Sequence, residues 1–222
     1  MTMHFFKEVD GLKKQVLSLC AMVEENLNKA VRSIEEQDAD LAMQVIEADS
    51  RIDEREVEVE EESLKILALH QPVAIDLRFI IAVLKINNDL ERIGDLAVNI
   101  AERSVHLCNR SRLSIPVDFE GMTEKVRNML KKSIDALVNM DADLAREVCK
   151  ADDEVDEINR QIHDMVIKHM EQSDSAEEID SLMQLLSVAR QLERIADHAT
   201  NIGEDLIYTI EARIIRHHAD EP

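Results

Sequence analysis

Apolar residues return every three or four positions almost from the first residue. Val9, Leu12, Val16, Leu19, Val23, Leu27, Ala30 and Ile34 form one series, and this periodicity predicts an amphipathic helix over about residues 5–36. Leu41, Val45, Ile52, Val59 and Ile66 form a second. Asp38 is placed to cap that helix, with Asp40 favouring its N-terminal end. It is expected to stop near His70, because Pro72 disfavours helical geometry at Gln71. A third series, Leu77, Ile80, Val83, Leu84, Ile86, Leu90, Ile93, Ala97 and Ile100, carries a helix to about residue 108.

The stretch 109–121, with Ser111, Ser114, Pro116 and Gly121, is the strongest break in the pattern. Beyond it Val126, Leu130, Ile134, Leu137 and Val138 predict a fourth helix. Asp141-Ala142-Asp143-Leu144-Ala145 repeats Asp38-Ala39-Asp40-Leu41-Ala42 residue for residue and opens a fifth. A polar turn at 172–177 precedes a sixth, over about residues 178–213. The expected fold is all-α: two tandem, pseudo-symmetric three-helix bundles built from six long antiparallel helices. Residues 1–110 and 122–222 make the two bundles and 111–121 link them.

An internal repeat underlies that division. Leu90-Glu91-Arg92-Ile93-Gly94-Asp95-Leu96-Ala97-Val98-Asn99-Ile100-Ala101-Glu102 returns as Leu192-Glu193-Arg194-Ile195-Ala196-Asp197-His198-Ala199-Thr200-Asn201-Ile202-Gly203-Glu204, with nine of thirteen positions identical. Several of the retained residues are polar, and packing alone does not require them. The register offset is 103 residues at Asp49/Asp152 and Asp53/Asp156, and 102 at Glu91/Glu193 and Asp95/Asp197. One residue has been lost between, most easily in the turn.

The polar positions fall into rows. Residues four apart share a helix face, about 6 Å apart along the axis. Glu91, Asp95 and Asn99 therefore line up beside the apolar stripe of the third helix, and Glu193, Asp197 and Asn201 beside that of the sixth, with His198 nearby. The second helix offers Asp49, Asp53, Glu56 and Glu60, and the fifth offers Asp152, Asp156, Asn159 and His163. Acids at spacing four repel one another, and two facing acid rows do so across helices. Bound cations would compensate. Oxygen-rich ligation suits Mg, Mn or Fe, while His163 and His198 would admit Zn, Fe or Ni. The rival reading is a solvated acidic face neutralised by Arg92 and Arg194.

Composition narrows the functional classes. Aromatics are 2% and glycines four, against an abundance of Leu, Ala, Glu, Lys and Arg, which favour helices. A formal net charge of −21 repels phosphate backbones and argues against nucleic-acid binding. Cys20, Cys108 and Cys149 show no paired spacing, as in a reducing compartment. No signal peptide or membrane-spanning stretch is expected, so the chain reads as cytoplasmic. A carboxylate-bridged helical-bundle enzyme would show Glu-x-x-His on two helices. Glu91-Arg92-Ile93-Gly94 and Glu193-Arg194-Ile195-Ala196 lack the histidine. The other histidines, His4, His70, His106, His169, His217 and His218, repeat no ligand spacing and read as structural or surface residues.

The opening Met3-His4-Phe5, the turn phrase Leu67-Ala68-Leu69-His70-Gln71-Pro72-Val73-Ala74-Ile75-Asp76-Leu77-Arg78 and the paired E/D-x-x-x-D phrases together resemble the PhoU family, accessory and regulatory proteins of bacterial phosphate transport. The resemblance runs over essentially the whole chain. It implies two pseudo-symmetric three-helix bundles, a homodimer, and metal ions held by the E/D-x-x-x-D acids. These fall here on Glu91 with Asp95 and Glu193 with Asp197, faced by Asp49, Asp53, Asp152 and Asp156. It implies a cytoplasmic, non-enzymatic regulator that connects a phosphate ABC transporter to a sensor histidine kinase and represses the phosphate-starvation response. A PhoU-like regulator of a different phosphate transporter is a related alternative. The second copy departs from the first at its turn, Gln172-Ser173-Asp174-Ser175, and at Asn159 and His163.

Overall fold

A computed structural model describes residues 3–108, 110 and 119–213. It contains six α-helices, α1 (Met3–Glu35), α2 (Ala39–His70), α3 (Ala74–Cys108), α4 (Phe119–Asn139), α5 (Ala142–Met170) and α6 (Ala176–Glu211), with no strand among the described residues. The apolar series read from the sequence become the core. Leu12, Val16, Leu19, Val23 and Leu27 of α1 meet Val45, Ile52, Val59 and Ile66 of α2 and Val83, Ile86, Leu90, Ile93, Ala97 and Ile100 of α3, all essentially inaccessible to water. Val126, Leu130, Val148, Val155, Ile162, Leu192, Ile195, Ala199 and Ile202 play the same part in α4–α6.

The caps explain where the helices begin. Asp38 accepts a hydrogen bond from the Leu41 backbone N–H at 2.9 Å. Asp141, its repeat partner, accepts from Asp143 and Leu144, both at 3.0 Å. Each satisfies helix N–H groups that would otherwise lack partners. Ser175 caps α6 through the Glu178 N–H at 3.3 Å. The helix therefore starts at Ala176, two residues before the periodicity indicated. Likewise α4 starts at Phe119, ahead of the first residue of its apolar series. At the end of α2, Gln71 adopts a left-handed conformation (φ 45°) before Pro72 and bonds back to the Leu67 carbonyl, which stops the helix. Most of the predicted linker, residues 111–118, lies outside the described residues, as do His217 and His218.

Helices α1–α3 pack together, as do α4–α6, and α3 packs along α6 where the two bundles join. The join is cross-linked by polar side chains at several levels. Arg78 donates to the Thr209 carbonyl at 3.1 Å, Lys85 to Asp205 at 2.9 Å, and Asp89 pairs with His198 at 2.8 Å. His106 and Arg110 both meet Asp180, at 2.7 and 3.2 Å. These pairs show that α3 and α6 run antiparallel. They hold the outer sides of both helices, where the acid rows lie, in fixed relation to one another.

Candidate metal-binding acid faces

In the first bundle α2 and α3 bring the two predicted rows side by side. The α3 backbone comes close to α2 at Gly94. A Cβ placed there would lie 3.3 Å from Ile52 Cγ2 and 3.6 Å from Asp49 Oδ1. The missing side chain lets α2 settle against α3 and leaves the Asp49 carboxylate beside the backbone at Gly94, next to Asp95 in sequence. Asp49 is half-buried, and its Oδ1 is sealed from water with no hydrogen-bond partner among the described residues. Burial, followed by the charges of Asp53, Asp95 and Glu91, pushes its carboxyl up to about 6. Glu91 is raised by burial and by Asp95, Asp53 and Glu56, against a lowering from Arg92. The charges that raise Asp49 and Glu91 place them in one electrostatic cluster with Asp53 and Asp95. Asn99 continues the row one turn on, half-buried.

Two neighbours tune this cluster. Arg92 reaches Glu91 at 3.4 Å and Asp95 at 3.3 Å, but its side chain is exposed, so the neutralisation is weak. Asn87, buried in α3, donates from Nδ2 to the Glu56 side chain at 2.8 Å and to its backbone carbonyl at 2.9 Å. That clamp turns Glu56 toward Asn87. Sequence reasoning missed it, although an Asn beside an apolar stripe is the kind of residue that asks for a partner.

The second bundle repeats the arrangement with changes. Asp152 is pushed up to about 6 by burial and by Asp197 and Asp156. Thr200 lies near enough to favour its ionised form, although Thr200 Oγ1 makes no hydrogen bond of good geometry. Glu193 is raised by burial, Asp197 and Asp156, while Arg190 and Arg194 lower it. Asp197 is raised by burial and Asp156, and lowered by His198 and Arg194. Asp197 and Asn201 are exposed where their counterparts Asp95 and Asn99 are half-buried. Ala196 stands where the first copy has Gly94.

The histidines do not join the acid faces. His163 is exposed and lies 3.7 Å from Asp164. His198 turns across the join between the bundles to Asp89. The site chemistry is therefore that of carboxylate and amide oxygens. Among the described residues no three His, Cys, Asp or Glu side chains already converge as a metal centre requires. The donors fit a hard cation: they are all oxygens, and the Asp49 Oδ1 is buried and orphaned.

Comparison with known proteins places these faces in context. A family model described as PhoU domain matches twice, over residues 16–104 and 119–206. A PhoU homolog of the phosphate-specific transport system from Aquifex aeolicus is 39% identical, covering 97% of this chain and 96% of its own. PhoU homolog 1 from Thermotoga maritima is 37% identical over 92% of this chain and 88% of its own. The crystal structure of PhoU from Pseudomonas aeruginosa superposes with a TM-score of 0.89 at 34% identity, covering 94% of this chain and all of that one.

Proposed function

The chain belongs to the PhoU family, and from that premise we propose that it regulates phosphate uptake as a non-enzymatic accessory of a phosphate ABC transporter. The observation that carries this reading is the extent of the similarity. Both halves match, in order, over nearly the whole chain, and the relatives are named as accessory proteins of the phosphate-specific transport system. In this reading the protein connects the transporter to a sensor histidine kinase and represses the phosphate-starvation response when phosphate is ample. Among the described residues no helix is long and apolar enough to cross a membrane. In this reading the protein acts from the cytoplasm on the transporter, as a homodimer.

The acid faces supply the second part of the proposal. Asp49, Asp53, Glu91 and Asp95 with Asn99, and Asp152, Asp156, Glu193 and Asp197 with Asn201, hold divalent or trivalent metal ions. Mg, Mn and Fe suit oxygen donors, and Zn suits them less well once His163 and His198 are directed elsewhere. A bound cation would give the Asp49 carboxylate its missing partner and offset the repulsion among these acids. It would also fix α2 against α3 and α5 against α6, so that metal occupancy sets the rigidity of each bundle.

The regulatory reading is tested in the native host. Deleting the gene should raise alkaline phosphatase output in phosphate-rich medium, and unchanged output contradicts the reading. The metal reading is tested separately, by elemental analysis of purified protein with and without Glu91→Ala and Glu193→Ala. Equal metal content in the double variant rules out these ligands.

A further inference from the structure

Charge is segregated in this molecule. Helix α2 carries ten acidic residues against three basic ones. Helix α4 reverses the balance, with Lys125, Arg127, Lys131 and Lys132 against three acids. Where α4 meets α1 across the join, the two helices touch over only a short stretch, and a cleft of about 930 Å³ opens between them. It lies away from the α2–α3 and α5–α6 acid faces. We propose that the α1–α4 cleft binds small phosphorylated anions carrying two or more linked phosphates, with Thr123, Arg127 and Lys131 as its recognition stripe.

These three residues are spaced by four on α4 and all line the cleft, so they stand one above another about 6 Å apart along the axis. Thr123 is only 4% exposed, yet its hydroxyl has no hydrogen-bond partner among the described residues. Across the cleft, Asn28 of α1 has its Oδ1 equally unpartnered. Buried polar groups are normally satisfied; these two belong to residues that line one cleft, and both atoms are covered from water, so an occupant would reach them once the side chains turn. The other basic residues of the cleft are engaged: Arg32 forks onto Glu36, and Lys125 pairs with Glu154. Arg127 and Lys131 have no such acidic partner among the described residues, and both are exposed.

The chemistry of these groups selects the ligand class. A guanidinium matches phosphate oxygens with paired N–H donors, and an ammonium adds a point charge. Two such groups one helical turn apart suit a phosphate chain better than a single orthophosphate. The volume falls in the range of small-molecule sites. A nucleic acid would meet the acid-rich remainder of the surface and be repelled. Glu24, Glu35 and Glu124 also line the cleft, so the attraction is local to the stripe and weakens with salt.

This inference rests on neither the metal nor the regulatory reading. Isothermal titration of the full chain at low ionic strength tests it, with orthophosphate, pyrophosphate, tripolyphosphate, ATP and sulfate as probes, each with and without a chelator. Pyrophosphate, tripolyphosphate or ATP should bind, more tightly than orthophosphate or sulfate and with or without the chelator. Tighter binding of ATP than of tripolyphosphate would identify a nucleotide; equal binding would identify the phosphate chain alone. Arg127→Ala with Lys131→Ala should weaken binding by about tenfold or more. Thr123→Val, which keeps the side-chain shape, should weaken it a few-fold. Both variants are checked for helicity by circular dichroism. The proposal is overturned if none of the three multiphosphate anions binds, if binding vanishes with the chelator, or if the double variant binds as tightly as the parent.

Discussion

The two acid faces share a backbone and differ in what surrounds it. In the first bundle Asp49 is orphaned, Asp95 and Asn99 are half-buried, and Arg92 is the one cation in the row. In the second, Arg190, Arg194 and His198 lower the raised acids, Thr200 favours the charged form of Asp152, and Asp197 and Asn201 open to water. Glu56 and Glu60 become Asn159 and His163, and Gly94 becomes Ala196. A duplicated motif thus fixes position without fixing charge. With fewer cations beside its acids, the first face should bind a cation more strongly than the second, although Asp53 is exposed where Asp156 is half-buried.

The comparison can be broken most decisively by removing ligands from one half. Glu91→Ala with Asp95→Ala should weaken metal binding at the first face by about a hundredfold or more, leaving the second face as it was. Titration followed by elemental analysis measures this, and equal loss from both halves would mean that the faces are not separate sites.

Packing at the close approach of α2 to Gly94 gives the next largest effect. Gly94→Val forces a branched side chain against Ile52 and Asp49 and should destabilise the protein by about 1–3 kcal/mol. Ala196→Gly at the equivalent position should cost only about 0.5–1 kcal/mol, through backbone entropy. Thermal or denaturant unfolding of the two variants compares them directly.

The raised carboxyls set a pH dependence in metal-free protein. Asp49 and Asp152 go from an ordinary value of 3.8 to about 6 in the folded state. The folded chain therefore keeps protons that the unfolded chain has lost, and stability falls as pH rises from about 4 to 6. The loss should be about 1 kcal/mol for each group, after allowing for water at these half-exposed sites. Asp49→Asn should remove roughly half of that dependence, and saturating metal should suppress it. Denaturant midpoints in chelator at pH 4 and pH 7 supply the check.

The smallest effect belongs to Arg92. Arg92→Ala should change stability by less than about 0.5 kcal/mol, as for other exposed ion pairs. It should nonetheless raise metal affinity at the first face, because a competing cation has gone. A lowered affinity would make Arg92 part of the site.

Much of this arrangement was legible in the chain. The three-and-four spacing places Val83, Ile86, Leu90 and Ile93 in the core, and Asp38 and Asp141 announce their caps because a short acidic side chain before a helix has one favourable use. The rows of Asp49, Glu91 and Asp95 follow from spacing alone. What did not follow depends on how one helix meets another. Nothing in the spacing of His198 says that it reaches Asp89 on α3, nor that Asn87 clamps Glu56. His163 falls on the expected row by number yet is exposed, since the α5 face turns toward solvent there. The starts of α4 and α6 were also hidden, because a first turn needs a cap more than an apolar stripe.

Anomalous scattering from crystals of the protein as purified tests the central claim most directly. Metal peaks should appear at both acid faces, the stronger among Asp49, Glu91 and Asp95 and the weaker among Asp152, Glu193 and Asp197. The absence of any peak at either face, in protein grown with Mn, Fe and Zn available, would contradict it.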